Sequence, residues 1–209
     1  MNLKPLAAAL SAAALSTLAV PALAQNAGQD GPWMVRVRAT HLNMKNSSEA
    51  GVLPADAITV NNKWIPELDV SYFFTPNLAA ELVLTIPQEQ DVSVNGTKIG
   101  TFKHLPPTLL AQWHFTQFGA FKPYVGAGAN LTFIGSERMS VGGSSVTLES
   151  RSFGPALQIG ADYRLDNGWF LNADVKKIWI GSDVFLDGVK ISKVNLDPWA
   201  LSIGVGKRF

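Results

Sequence analysis

The chain has 209 residues, 47% of them hydrophobic, with 17 basic and 16 acidic side chains and a formal net charge of +1. That near balance argues against nucleic acid as a partner. There is no cysteine, which excludes disulfides, thiolate metal sites, a cysteine nucleophile and a lipid-modified cysteine at a mature amino terminus.

At the amino end Lys4, the apolar stretch from Leu6 to Val20 and the small-x-small site Ala22-Leu23-Ala24 before Gln25 read as a secretory signal cleaved after Ala24. The apolar stretch is shorter than the ~20 residues a membrane-spanning helix needs, and it ends at Pro21. Residues 1–24 are therefore expected to be a signal peptide and residues 25–209 a single domain. Beyond the signal no stretch approaches ~18 uninterrupted apolar residues, so any membrane insertion has to use strands.

Alternation of apolar with polar or small residues marks eight segments, near 33–42, 64–74, 77–86, 106–116, 121–134, 152–165, 168–180 and 198–209. In the first, Trp33, Val35, Val37 and Ala39 oppose Arg36, Arg38 and Thr40; in the fifth, Val125, Ala127, Ala129, Leu131 and Phe133 oppose Gly126, Gly128, Asn130 and Thr132. The last runs through Trp199, Leu201, Ile203, Val205 and Lys207 to the terminal Phe209. A terminal strand of this length with an aromatic carboxy end is the pattern of outer-membrane barrels. Phe209 is thus the expected carboxy-terminal barrel signal, and the barrel-assembly machinery an expected partner. A soluble sandwich also alternates, but its loops are not segregated by length. Here the connections at Thr75-Pro76-Asn77, Gln117 to Ala120 and Asp166-Asn167-Gly168 are short, whereas 43–63, 87–105, 135–151 and 181–197 are long. Short and long connections in strict alternation, with both termini on the short side, predict an all-β fold: an eight-stranded antiparallel up-and-down transmembrane β-barrel in the outer membrane of a Gram-negative bacterium.

Aromatic residues near the segment ends, Trp33, Tyr72, Phe74, Trp113, Phe115, Tyr124, Tyr163, Trp169, Trp199 and Phe209, are expected to form two girdles at headgroup level. Pro66, Pro107, Pro123 and Pro155 fall inside or at the start of segments, where a missing N–H weakens a ladder, and predict bulges, strand starts or a local gap in the wall.

With the apolar register facing lipid, the lumen receives Arg36, Arg38, Glu67, Asp69, Glu81, Asp162, Arg164, Asp174, Lys176 and Arg208, five residues of each sign. Buried charges persist when paired and hydrogen-bonded, so these residues predict an ion-pair network that packs the interior. Phe73, Val83, Leu110 and Ile178 also fall in the inward register and predict an apolar zone, poor for ions and suited to a greasy solute. Catalytic patterns are weak. His41, His104 and His114 lack metal-ligand spacing, and His114 reads as a hydrogen-bonded wall residue. Gly126-Ala127-Gly128 has Leu131 where a dinucleotide loop needs glycine, and its glycines instead suggest room for a neighbouring side chain. Asn95-Gly96-Thr97 and Asn130-Leu131-Thr132 match a glycan acceptor by chance. The chain is not expected to be an enzyme or to carry a cofactor.

Several stretches resemble the OmpW family: Ser71-Tyr72-Phe73-Phe74-Thr75 with Asn77-Leu78-Ala79-Ala80-Glu81-Leu82, His104-Leu105-Pro106-Pro107-Thr108-Leu109, Pro123-Tyr124-Val125-Gly126-Ala127-Gly128, and Leu196-Asp197-Pro198-Trp199 with the terminal Gly206-Lys207-Arg208-Phe209. The resemblance implies a narrow, partly apolar lumen proposed to admit small hydrophobic molecules and release them sideways through the wall. Where members of this family can carry an aromatic facing that lumen on the seventh strand, this chain has Lys176, while Val83 on the third suits a constriction. The expectation is passive uptake of small hydrophobic ligands in contact with outer-membrane lipids. The alternative is a plugged barrel that acts structurally or through its external loops.

Overall fold

The computed structural model describes residues 31–50 and 54–209, so the signal segment 1–24 lies outside the described residues. Among the described residues fifteen strands are present: β1 (Trp33–Asn43), β2 (Ser47–Ser48), β3 (Ile58–Val60), β4 (Lys63–Phe73), β5 (Leu78–Thr85), β6 (Gln88–Val94), β7 (Thr97–Leu105), β8 (Thr108–His114), β9 (Phe121–Val141), β10 (Ser144–Leu148), β11 (Arg151–Arg164), β12 (Trp169–Ile178), β13 (Gly181–Leu186), β14 (Val189–Asn195) and β15 (Trp199–Arg208). Eight of them close a barrel in the order β11-β12-β15-β1-β4-β5-β8-β9, sealed by the β9–β11 ladder. Closure is what lipid requires, because an open edge would leave backbone N–H and C=O groups without water or partners. The ends of the chain meet: the Phe209 amide donates to Trp33 O at 2.8 Å.

The apolar register faces outward. Val37, Leu82, Val125, Leu157, Leu171 and Ile203 are exposed, whereas Arg36, Arg38, Asp69, Glu81 and Asp174 are buried. Such a surface is stable against acyl chains and not against water. Trp33, Tyr72, Phe74, Trp113, Tyr163, Trp169 and Phe209 ring the short-turn end, and Trp64, Phe153 and Trp199 stand exposed toward the other. Two aromatics expected in the girdles behave otherwise: Tyr124 is fully buried inside the barrel and Phe115 is half-buried.

The four long connections are not loops. They fold into hairpins and short strands that prolong the barrel as a crown in the order β3-β6-β7-β9-β10-β13-β14-β2. Three of its tips are two-residue turns with both residues at positive φ: Asn95-Gly96 (48°, 79°), Gly142-Gly143 (60°, 89°) and Asp187-Gly188 (47°, 83°). Only such turns match the right-handed twist of the flanking strands, and glycine adopts them without steric cost. The crown ends meet where Ser48 and Asp56 bond one another, Asp56 N to Ser48 O at 3.0 Å and Ser48 N to Asp56 Oδ1 at 3.1 Å.

The prolines do not produce the bulges expected of them. Pairing runs in register through Pro66 opposite Ala39, and through Pro155 and Pro123 along β9–β11. Pro107 does mark a strand start, immediately before β8, and ladder breaks lie beside it and beside Pro155. The β5–β8 ladder stops at Val83 opposite Thr108 and resumes as β6–β7 at Gln88 opposite His104. The β11–β12 ladder stops at Ala156 opposite Ile178, beyond which the Trp179 amide donates to Pro155 O at 3.2 Å.

Candidate functional site

The interior is built in layers, beginning with an apolar floor at the short-turn end. Met34, Phe73, Ala79 and Phe170 pack there, and the Arg208 guanidinium lies 3.8 Å from the Phe73 ring centroid while its Nε donates to Gly31 O at 2.7 Å. Phe73 therefore closes the barrel base and is not part of the apolar zone expected to include it.

Above the floor, β1 sends in Arg36 and Arg38, which alternate with outward Val35, Val37 and Ala39. Arg36 donates from Nη1 to Glu81 at 2.8 Å and to Ser71 Oγ at 2.7 Å, and from Nε and Nη2 to the two oxygens of Asp162. Arg38 Nη1 lies 2.7 Å from Asp174 Oδ2, 3.2 Å from Glu67 and 3.0 Å from Asp69 Oδ2. The Asp69 approach lacks the alignment of a hydrogen bond, and neither Asp69 oxygen has a hydrogen-bond partner, so that contact is charge attraction alone. Lys176 donates to Glu67 at 2.8 Å and to Asp174 at 3.0 Å.

Uncharged groups complete the plug. Tyr124 Oη lies 3.3 Å from Arg38 Nη2 and donates to Asp174 at 3.3 Å; Gln158 donates to Glu81 at 3.0 Å and to Asp174 at 2.7 Å. His114 lies 3.1 Å from Gln112 Oε1, with its ring between Phe73 and Tyr124 at centroid distances of 4.8 Å each. It is a wall residue held by hydrogen bonding, as its surroundings in the sequence suggest.

Glycine makes this packing possible at Gly160, where a Cβ would fall 2.5 Å from Tyr124 Cζ, and at Gly204, where it would fall 2.8 Å from Arg38 Cγ. Gly126 serves Gln158 in the same way, a Cβ there falling 2.8 Å from its Oε1.

The network differs from expectation in its membership. Arg164 is exposed at the base and Arg208 belongs to the floor. The buried set at the centre is then three bases, Arg36, Arg38 and Lys176, with five carboxyls, Glu67, Asp69, Glu81, Asp162 and Asp174. The side chains inside the plug are richer in acid than the even balance read from the strand register.

Over the plug lies an apolar zone of packed side chains that continues into the crown. Val83, Leu110 and Ile178 belong to it, with Leu42, Ile65, Phe102, Ile134, Met139, Ile180 and Val194. Lys176 is not part of it: the ammonium is withdrawn into the plug below, two residues from inward Ile178. The residues contributed by β3, β6, β7, β13 and β14 were missed, because those segments read as loops. Turn chemistry at Asn95-Gly96 and Asp187-Gly188 was the available signal.

The break in the ladder between β5 and β8 lies between this zone and the lipid face. Leu105, Val83 and Leu110 are buried on its inner side, and Ile86 and Leu109 are 53% and 58% exposed on its outer side. Asn130 on β9 holds one side of it, its amide nitrogen lying 3.2 Å from Pro106 O, 3.1 Å from Pro107 O and 2.8 Å from Thr108 Oγ1, while Thr132 donates to Asn130 Oδ1 at 2.6 Å. The break at Pro155 is chemically different. It holds a groove of about 500 Å³ lined by Arg151, Lys190, Lys193, Glu149, Asp183 and Asp197 alongside Phe153 and Trp179.

Residues 29–209 match the family model described as the OmpW family. The chain belongs to that family. Among the relatives of this OmpW-family chain, an outer-membrane protein of Sinorhizobium fredii, y4mB, is 40% identical over 184 residues, covering 85% of this chain and 80% of the relative. A Pseudomonas aeruginosa relative, the dibenzothiophene metabolism operon protein PahQ, is 25% identical over 196 residues, covering 87% and 90%. The crystal structure of the outer membrane protein OprG from Pseudomonas aeruginosa superposes with a TM-score of 0.75 at 29% identity, covering 87% of this chain and 98% of that one. Membership in the OmpW family places the protein in the Gram-negative outer membrane, in agreement with its lipid-facing surface.

Proposed function

We propose that the protein carries small hydrophobic molecules passively across the outer membrane, taking them into the apolar zone above the plug and releasing them sideways into the bilayer. The observation that carries this reading is the relation of apolar zone, plug and wall break. Downward passage would drive an apolar solute through buried ion pairs, whose desolvated charges offer it nothing and whose separation is costly. The break beside Pro106-Pro107 is bordered by apolar Val83, Leu105, Leu110, Ile86 and Leu109 with uncharged Gln88 and Thr108, and therefore offers a greasy solute less resistance than the charged plug. Barrel size argues against ion conduction, since water-filled porins use about 16 strands and eight close this wall. The name of the PahQ relative, tied to metabolism of an apolar aromatic compound, supports the same solute class.

The experiment uses vesicles whose outer leaflet contains lipopolysaccharide, which slows apolar compounds. Reconstituted barrel should accelerate entry of the fluorescent probe N-phenyl-1-naphthylamine over protein-free vesicles; equal rates would remove the proposal.

One observation favours the second reading, a plugged barrel that acts through its surface. The crown is filled by its own side chains, among them Phe102, Ile134 and Leu196. Under that reading, shortening the β6–β7 and β13–β14 hairpins abolishes surface interactions and leaves probe entry unchanged.

A further inference from the structure

Against the packed apolar zone one polar pair keeps unpartnered atoms among the described residues. Gln90 and His104 are buried on the inner faces of β6 and β7, close to Phe102, Val92 and Ile134, and are bonded to each other through Gln90 Nε2 and His104 Nε2 at 3.2 Å. Gln90 Oε1 and His104 Nδ1 have no partner. Leaving such atoms buried is costly, and a chain that merely sealed its crown would be better served by leucine and phenylalanine at these positions.

The pair's own hydrogen bond fixes what remains to be offered. When Gln90 donates to Nε2, the imidazole proton sits on Nδ1, so the pair presents one donor, Nδ1–H, and one acceptor, Oε1. With the amide turned over, Nε2–H donates to Gln90, and the pair presents Nδ1 as acceptor and the amide N–H as donor. Either arrangement leaves one donor and one acceptor unpaired in an apolar wall. A hydroxyl can pair with either, since it donates once and accepts as well.

We propose that Gln90 and His104 form a recognition site for the single hydroxyl of an otherwise apolar solute, an alcohol or a phenol. This deepens the uptake reading and rests on it for the solute's route into the apolar zone. Burial lowers the His104 pKa to about 4, with a further push from the Lys63 charge, so the imidazole is neutral at pH 7 and a carboxylate gains no ion pair there. Entry is easiest beside β3, whose ladder with β6 has only three residue pairs, Ile58 with Val94 through Val60 with Val92.

The test measures equilibrium binding of 1-naphthol and naphthalene to the purified barrel in lipid nanodiscs, with empty nanodiscs subtracted. These probes differ by one hydroxyl. The wild-type protein should bind 1-naphthol about tenfold more tightly, the scale of one buried hydrogen bond. Gln90→Leu and His104→Phe should each reduce the preference to near unity while naphthalene binding is kept. His104→Asn, which places an amide near the Nδ1 position, should retain most of it. Folding of every variant is checked by its heat-modifiable electrophoretic mobility, and if His104→Phe does not fold, Gln90→Leu decides. No hydroxyl preference in the wild type, or a preference that survives Gln90→Leu, overturns the proposal. Preferential binding of 1-naphthol without accelerated entry of N-phenyl-1-naphthylamine would instead sink the uptake reading and leave the recognition site standing.

Discussion

Arg36 and Asp162 stand 126 positions apart in the chain and face each other across the barrel, joined by parallel hydrogen bonds from Nε to Oδ1 at 3.1 Å and from Nη2 to Oδ2 at 2.6 Å. Their strands, β1 and β11, are separated in the sheet by β12 and β15. The pair is therefore a brace through the interior, independent of the ladder hydrogen bonds in the wall.

Removing the brace should be expensive. Arg36→Met leaves Asp162 and Glu81 buried without their main cation, which costs on the order of 3–5 kcal/mol. Arg36→Lys keeps the charge and loses the planar fork, so it should fall between wild type and Arg36→Met. Urea unfolding of the barrel in lipid vesicles, followed by tryptophan fluorescence, gives both values.

Gly160 tests the packing of the plug by overfilling it. The added Cβ of Gly160→Ala falls 2.5 Å from Tyr124 Cζ and 2.6 Å from Asp174 Cβ, so the ring has to shift and part from Asn172 and Asp174. The expected cost is about 1–3 kcal/mol. In a Tyr124→Leu background the same change should cost measurably less, because the crowded ring is gone.

Ile203 tests which face meets lipid. It lies mid-strand in β15 and is 62% exposed, between Ala39 and Ala173 on the neighbouring strands. Ile203→Arg should destabilise the barrel by about 2–4 kcal/mol in bilayers, with the loss falling toward zero for the same change near a headgroup girdle. A soluble barrel would accept arginine at such an exposed position with little loss.

The eight spanning strands were legible because lipid on one side and packed side chains on the other impose a period of two, and the observed bounds lie within a few residues of those read from the alternation except in β9, which runs past 134 to Val141 in the crown. The inward positions of Arg36, Glu81 and Asp162 followed from the same period. Register alone could not show depth along the barrel axis. It therefore placed Phe73 with Val83, though they lie on opposite sides of the plug, and included Arg164 and Arg208, which sit at the base. The crown was missed for another reason. Its strands, such as Gln88–Val94 and Val189–Asn195, carry polar residues on the outer face and lack the greasy register that marked the spanning segments. Their Asn-Gly and Asp-Gly tips were the stronger signal.

Acid should loosen the crown through His104. The imidazole titrates near 6.5 in an unfolded chain but at about 4 here, because burial disfavours its charged form. Between those values the unfolded state binds more protons, so this contribution to stability is present above pH 6.5 and is lost as pH falls toward 4, by up to ~3 kcal/mol. Protection factors of the β6 and β7 amides, the intrinsic hydrogen-exchange rate at each pH divided by the observed one, should fall over that interval in the wild type more than those of the spanning strands. In His104→Phe that local fall should be absent.

Asn130 tests the position of the lateral exit. Its amide nitrogen lies within hydrogen-bond distance of three oxygens on the chain segment that forms the wall break, Pro106 O, Pro107 O and Thr108 Oγ1. The two carbonyls also accept from Thr108 Oγ1 and from the Leu131 amide, so Asn130→Ala removes shared bonds without orphaning them and should lower stability by about 0.5–1.5 kcal/mol. If solute leaves between Pro87 and Pro107, the same variant should also speed probe entry into lipopolysaccharide-containing vesicles several-fold, because the segment then has fewer ties to β9 to break before moving aside. A variant at the other break, Trp179→Ala, should leave the entry rate near that of the wild type. Faster entry in Trp179→Ala with none in Asn130→Ala would move the exit to Pro155 and its charged groove.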